Sequence, residues 1–144
     1  MTYLDTTVAA TAANTTYSYR VAAMNAVGVS AYAASVPVLL PAMPTAPGSF
    51  TAANGPNGTG NNRTVNLAWQ DLSGNETGFT IQRATNATFA SGLNSANLGA
   101  GVTTLTQTGL TRNTRYWYRI RANNSSIVSS AWVNADTFPL TTIP

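Results

Sequence analysis

The sequence contains no cysteine, histidine or lysine. Without cysteine it has no disulfides or thiolate metal ligands, and without histidine it lacks the commonest zinc ligand and acid–base group. The same absences exclude Ser–His and Cys–His catalytic pairs. Without lysine, lysine–asparagine crosslinks are excluded as well. We therefore expect the fold to depend on packing and hydrogen bonds, and we predict no cofactor.

Charged residues are also scarce, at 8% of the chain against about 25% in ordinary globular domains. Seven scattered arginines and four acids give a net charge of +3, which disfavours nucleic acid as a partner. The best apolar stretch, at 36–43, is interrupted by Pro37 and Pro41, so no membrane insertion is predicted. The first residues do not resemble a signal peptide. A chain rich in Thr, Ser, Asn and Ala is typical of a secreted, β-rich bacterial protein.

What the sequence does contain is an internal repeat. Residues 14–21 (NTTYSYRV) recur as 113–120 (NTRYWYRI), an offset of 113 − 14 = 99 residues. Residues 30–32 (SAY) recur as 130–132 (SAW), an offset of 100. A fixed period indicates an array of similar modules. At this length the chain holds one complete module preceded by part of another.

Segments with alternating apolar and polar residues predict strands. Residues 17–23 alternate Tyr, Tyr, Val and Ala with Ser, Arg and Ala, and 116–122 repeat that alternation. Residues 65–69 read VNLAW, while 54–62 and 71–78 have the composition of loops. Since no helical period occurs, the sequence predicts an all-β antiparallel sandwich with half-buried strands.

Prolines mark the boundary between the modules. Pro41, Pro44 and Pro47 are spaced three apart, which favours an extended, semi-rigid linker. The predicted division is therefore 1–43 and 44–144. A proline-rich ligand for a partner domain is an alternative, but the linker already explains these residues.

Residues 44–144 carry four ordered motifs that resemble a fibronectin type III domain of the bacterial extracellular kind. The motifs are 46–47 (AP), 65–71 (VNLAWQD), 75–83 (NETGFTIQR) and 110–122 (LTRNTRYWYRIRA). The resemblance implies an immunoglobulin-like antiparallel β-sandwich. Ser125 and Ser126 replace the glycine expected after the sixth strand, so that turn is expected to differ.

The same resemblance assigns 1–43 to the C-terminal half of a preceding module, strands E to G. Residues 5–8 resemble the fifth strand, 17–25 the sixth, and 28–32 lead into the seventh. The first four strands have no counterpart, so both sheet edges would be open. We expect 1–43 to be disordered, to be completed by strands from another molecule, or to be covered by further sequence.

Five large side chains are predicted to form the core of the complete module: Trp69, Leu110, Tyr116, Tyr118 and Ile120. Aromatic residues supply the apolar area that a small sandwich needs. Leu110 and Tyr116 resemble a tyrosine corner, in which the phenol bonds to an upstream backbone group.

Candidate chemistry is limited to one loop. Asp71, Ser73, Asn75 and Glu76 offer alternating oxygen ligands, as calcium loops do, but the remaining ligands are missing. Asp71 and Glu76 also have the residue types of a glycosidase pair, yet no cleft-forming sequence surrounds them. We favour an ordinary loop and predict no metal site and no enzyme activity.

Trp117, Arg119, Arg121 and Gln82 are predicted to share the outer face of one sheet, since the resemblance makes the third and sixth strands neighbours. Arginine stacked on tryptophan could form a sugar platform or a protein contact. The favoured alternative is a ladder of arginine and aromatic side chains that stiffens a solvated face.

These observations favour a non-catalytic extracellular module that serves as a spacer or adhesive segment of a longer surface or fibre protein. The expected partners are other modules or like subunits. The alternative is a carbohydrate-binding or accessory module of a secreted polysaccharide-degrading enzyme, with polysaccharide as partner.

Overall fold

The computed structural model of the chain describes residues 2–124 and 128–144, which form only strands, turns and loops. The chain divides into two compact units between Met43 and Pro44. We call the described residues up to Met43 the N-terminal unit, and Pro44–Pro144 the C-terminal unit. The turn predicted to differ at Ser125 and Ser126 lies outside the described residues.

The N-terminal unit is built from short strands in two antiparallel pairs. The strands are β1 (Thr15–Tyr17), β2 (Arg20–Val21), β3 (Ala33–Ala34) and β4 (Val38–Leu40). β1 pairs with β4, and β2 pairs with β3. The backbone N–H of Met43 donates to the carbonyl of Thr11 at 2.7 Å, which joins the end of the unit to its beginning.

Two strand predictions for the N-terminal unit are wrong. Residues 5–8 form no strand, and the Asp5 carboxylate instead accepts hydrogen bonds from the backbone and hydroxyl of Thr7. The strand predicted over 17–25 is interrupted between β1 and β2, and Val21 is exposed rather than half-buried. Alternation buries one face of a strand only where a second sheet covers that face, and the side chains here remain in contact with solvent.

The described residues of the C-terminal unit form eight strands in two antiparallel sheets. They are β5 (Gly48–Asn54), β6 (Asn62–Gln70), β7 (Gly78–Ala84), β8 (Asn94–Gly99), β9 (Thr104–Thr111), β10 (Arg115–Asn123), β11 (Val133–Asn134) and β12 (Leu140–Thr141). One sheet has the order β5–β6–β9. The other has the order β11–β10–β7–β8, and β12 also pairs with β10.

A single apolar core lies between these sheets. The alternating residues Val65, Leu67 and Trp69 of β6 belong to the same buried cluster as Phe79 and Ile81 of β7. Their polar neighbours along each strand point away, as the period of two requires. The prediction of an immunoglobulin-like antiparallel β-sandwich is confirmed.

All the residues predicted for the core are buried in the structure: Trp69, Leu110, Tyr116, Tyr118 and Ile120. The Trp69 ring meets Phe50 and Phe79 edge-on, with centroids 6.4 and 5.7 Å away. The phenol oxygen of Tyr116 accepts a hydrogen bond from the Thr111 N–H at 3.2 Å. This bond spans the turn between β9 and β10.

Candidate functional site

The outer face of the larger sheet holds the four residues singled out by the sequence. Arg119 lies opposite Gln82 in the pairing of β10 with β7, and Trp117 lies opposite Ala84. Along β10 the intervening residues are fully buried, while Trp117, Arg119 and Arg121 are half-buried. The alternation therefore places all four on one face.

Arg119 is the centre of this face. Its Nε and Nη2 atoms donate to the Gln82 side-chain oxygen, at 2.9 and 2.6 Å. Its guanidinium carbon lies 4.0 Å from the ring centroid of Phe89 and 4.4 Å from that of Trp132. Both distances are within the range of favourable cation–π contacts.

The row of contacts continues beyond Arg119 in both directions. Arg121 lies over the Trp132 ring at 4.6 Å, and Phe89 stacks with Phe138 at 6.3 Å and an interplanar angle of 25°. We call these five residues, Phe138, Phe89, Arg119, Trp132 and Arg121, the arginine ladder. Each member touches the next, so the ladder links β10 to three loop segments.

The ladder changes the electrostatics of Arg119. Burial lowers the pKa of its guanidinium from the ordinary value, and the neighbouring positive charge of Arg121 lowers it further. Guanidinium groups keep their charge at any physiological pH despite such a shift. The aromatic faces and the Gln82 oxygen therefore hold two like charges close together.

The aromatic partner that the sequence suggested is wrong. In the described residues the arginines stack on Trp132 and Phe89, and no ring contact involves Trp117. A sequence signal for Trp132 existed in the repeat. In the N-terminal unit, Arg20 lies over Tyr32 at 4.2 Å, and these residues precede Arg119 and Trp132 by one period.

This geometry limits what the face can bind. Two guanidinium groups already lie over the Trp132 ring, so part of that ring is occupied by side chains of the same face. Trp117 remains half-buried beside the small side chain of Ala84. It is the aromatic ring of β10 on this face, and no ring or arginine contact involves it among the described residues.

The loop after β6 is held by hydrogen bonds among its own residues. Asp71 accepts a hydrogen bond from the Ser73 N–H at 3.0 Å, and the Ser73 hydroxyl donates to Asn75 at 2.9 Å. These bonds close the loop on itself, as Asx turns do. Among the residues that the structure describes, no group of three or more His, Cys, Asp or Glu side chains could hold a metal ion.

Comparison with known proteins identifies the fold. No protein-family model and no curated protein sequence matches the chain. The fibronectin type III domain of human collagen α-1(XX) matches with a TM-score of 0.54 and 17% identity, covering 70% of this chain and 87% of that one. A computationally redesigned β-sandwich protein matches with a TM-score of 0.52 and 25% identity, over 69% and 93% of the two chains.

A multidomain structure matches over a longer span. The FN1–FN3 fragment of chicken CNTN1 gives a TM-score of 0.53 at 15% identity, covering 99% of this chain and 45% of that one. These likenesses show that the fold is of the fibronectin type III kind. Within 2–124 and 128–144, no helix is long and apolar enough to cross a membrane.

Proposed function

We propose that this chain is a non-catalytic structural module of an extracellular tandem-repeat protein of the bacterial kind, acting as a spacer or adhesive segment. The observation that carries the proposal is the internal repeat, in which the two units share a turn with the same hydrogen bonds and the same arginine–aromatic contact. The turn bonds join Ser30 to Ala23 in one unit and Ser130 to Ala122 in the other. The low charge and the absence of cysteine, histidine and lysine support it. The likeness to fibronectin type III domains supports the modular character.

The arginine ladder supports the spacer role in particular. Stacked guanidinium and aromatic groups cover this sheet face, and the Arg119 guanidinium also donates two hydrogen bonds to Gln82, so the side chains on the face hold one another in place.

The second candidate is a carbohydrate-binding module. Trp117 favours it, because this tryptophan is half-buried on the outer face and is free of ring contacts among the described residues. Polysaccharide recognition through one exposed ring would be weak and would depend on that ring.

A glycan array and a polysaccharide pull-down with the purified 144-residue chain separate the two candidates. The spacer role predicts no specific glycan. Binding that is lost in Trp117→Ala and kept in Leu72→Ala, a control at an exposed loop position, would establish the carbohydrate-binding role instead. Hydrolysis of any bound polysaccharide by the pure chain would overturn the non-catalytic assignment.

A further inference from the structure

The edges of the two sheets in the C-terminal unit differ in how well they are protected. A strand edge carries unpaired backbone N–H and carbonyl groups, and proteins block such edges with charged residues, prolines, bulges or short strands. The edge strands are β5 and β9 in one sheet, and β8 together with β11 and β12 in the other. Each edge can be compared with that set of devices.

The edge of β5 is already engaged by its own chain. The Asp136 N–H donates to the Phe50 carbonyl at 2.9 Å, and the Ala52 N–H donates to the Asp136 carboxylate at 3.1 Å. The register of β5 against β6 also shifts between Gly48 and Thr51. A charged residue and an irregular register therefore protect this edge.

The strands β11, β12 and β9 are protected in other ways. β11 and β12 contain two residues each, and Pro139 lies between them. β9 is longer, but its register against β6 shifts between Arg63 and Val65, and Gly109 has a left-handed φ of 71°. Short strands, prolines and bulges all limit the pairing of an edge with another chain.

β8 carries none of these devices. It pairs with β7 in one continuous register from Asn94 to Gly99, and its other side has no backbone partner among the described residues. Residues 84–111 contain no charged residue and no proline. Most side chains of β8 are exposed. β8 is therefore the unprotected strand edge of this sandwich.

The side chains of β8 also fit a second copy of the same strand. Antiparallel pairing about a two-fold axis at Asn97 places Ala96 opposite Leu98 of the second copy, and Ser95 opposite Gly99. An axis between two residues would instead set inward side chains opposite outward ones, which the alternation of a strand forbids. Ala96 and Leu98 are the half-buried positions, and Leu98 packs against the core. The pairing would thus extend apolar contact from one sandwich to the next.

Asn97 supplies a matching polar contact on the outer face. Its side-chain oxygen accepts a hydrogen bond from the Thr80 hydroxyl at 2.9 Å. No other hydrogen bond of this side chain occurs among the described residues, which leaves its amide N–H groups and a second lone pair of its oxygen. Two such amides facing each other across the axis can each donate to the other.

The charge distribution favours a second copy as the occupant of this edge. Two chains with a net charge of +3 repel each other most where their arginines meet, and all seven arginines lie outside 84–111. A charged partner would find no opposite charge within 84–111, so the edge is suited to a neutral strand like itself. A single six-residue strand gives an interface below about 1,200 Å², which is the size of a weak, transient contact.

We propose that β8 pairs with β8 of a second copy, so that the larger sheets of two C-terminal units join into one continuous sheet. The inference rests on the proposed structural role and deepens it, because it makes like chains the lateral partners of the module. One such contact is weak. Arrays that repeat it along their length gain avidity through effective concentration.

A charge swap at Asn97 tests the pairing in the 144-residue chain. Asn97→Lys and Asn97→Asp each set like charges opposite each other at the axis, so neither variant alone should associate at concentrations where the wild type does. An equimolar mixture of the two variants should regain association, because opposite charges then meet. Sedimentation velocity from micromolar to millimolar protein measures this, and the regain cannot come from a variant that has failed to fold.

The matched control lies on the other open edge of the same side of the sandwich. Thr104→Lys changes an exposed residue of β9 and should leave association unchanged. Amide exchange in the wild type should slow over 94–99 as the protein concentration rises, and exchange over 104–111 should not.

Four results would overturn the proposal. The first is a wild-type chain that stays monomeric at millimolar concentration, and the second is a mixture of the Asn97 variants that associates no better than either alone. The third is loss of association in Thr104→Lys only, which would assign the contact to β9. The fourth is concentration-dependent protection of 17–23 instead of 94–99, which would place the contact in the N-terminal unit.

These outcomes are separable from the test of the proposed function. A monomeric chain would remove the lateral contact and leave the spacer role standing. Specific glycan binding that depends on Trp117 would overturn the spacer role without bearing on β8.

Discussion

The two units of this chain carry the same hairpin in opposite surroundings. Their turn bonds and arginine–aromatic contacts agree to within a few tenths of an ångström. Their inward-facing side chains lie at opposite ends of the exposure scale. The hairpin is thus specified by residues close together in the chain, whereas a buried core requires the other half of the sandwich. Four predictions test this comparison, from the largest expected effect to the smallest.

The largest effect is expected at the equivalent positions 120 and 21. Ile120→Ala should reduce the free energy of unfolding by about 2–5 kcal/mol, because it empties a fully buried site. Val21→Ala should change it by less than about 0.5 kcal/mol, because that side chain is exposed. Urea unfolding followed by circular dichroism measures both. Equal losses of stability at the two positions would contradict the difference in burial between the two units.

The next largest effect is expected at alkaline pH, where the free energy of unfolding should depend on Tyr118 more than on its counterpart Tyr19. Burial raises the pKa of the Tyr118 phenol far above its ordinary value, with the neighbouring Arg83 opposing the shift. The stability that Tyr118 contributes is fully present below the pKa of a tyrosine in the unfolded chain, about 10. It is lost as the pH rises through the higher pKa of Tyr118 in the folded state. Above pH 10 the ionisation of Tyr118 should therefore lower the free energy of unfolding by about 1.4 kcal/mol per pH unit.

Tyr118→Phe should remove that alkaline loss, as measured by urea midpoints between pH 8 and 12. Tyr19→Phe is the matched comparison. Desolvation and the hydrogen bond to Asp5 also raise the pKa of Tyr19, but by less than burial raises the pKa of Tyr118, so this variant should reduce the alkaline loss less. An identical alkaline decline in wild type and Tyr118→Phe would contradict the assignment.

A smaller effect is expected at the turn between β9 and β10. Tyr116→Phe removes the acceptor of the Thr111 N–H and should cost about 0.5–1.5 kcal/mol. The counterpart Tyr17→Phe should cost less, since its phenol has no hydrogen-bond partner in the described part of the chain. Thermal unfolding of both variants measures the difference, and a larger loss in Tyr17→Phe would reverse our interpretation.

The smallest effect is expected in the arginine–aromatic contacts. Arg119→Lys loses the planar stack between two rings and one of the two donors to Gln82, and should cost about 0.5–1 kcal/mol. Arg20→Lys should cost about 0.5 kcal/mol or less, because Arg20 lies over a single exposed ring. Differential scanning calorimetry can resolve the two, and a null effect of Arg119→Lys would remove the stiffening role of the ladder.

Much of the C-terminal unit could be predicted from local patterns. The alternation at 65–69 and 116–122 identifies which side chains point inward, because successive residues of a strand face opposite sides. Arg63 could not be predicted in the same way. It is buried, and it donates to the carbonyl of Ile143, which is 80 residues away along the chain, and to that of Gly60.

The candidate site could be predicted only in part, because some of its residues lie on strands and others on loops. Arg119 and Gln82 could be placed on one face, because strand alternation and a neighbouring pair of strands suffice for that inference. The ring partner could not, since Phe89 and Trp132 come from loops whose positions depend on the packed sandwich. The sequence signal for Trp132 was the repeat, in which Arg20 and Tyr32 correspond to Arg119 and Trp132.

The sequence by itself determined the period of the repeat, the strands of the C-terminal unit at 65–69 and 116–122 and the inward or outward direction of their side chains, because these depend on neighbours a few residues apart. The tertiary structure alone decided which inward-facing residues are buried and which ring each arginine meets. Burial requires a second sheet, and a second sheet comes from strands distant in the chain.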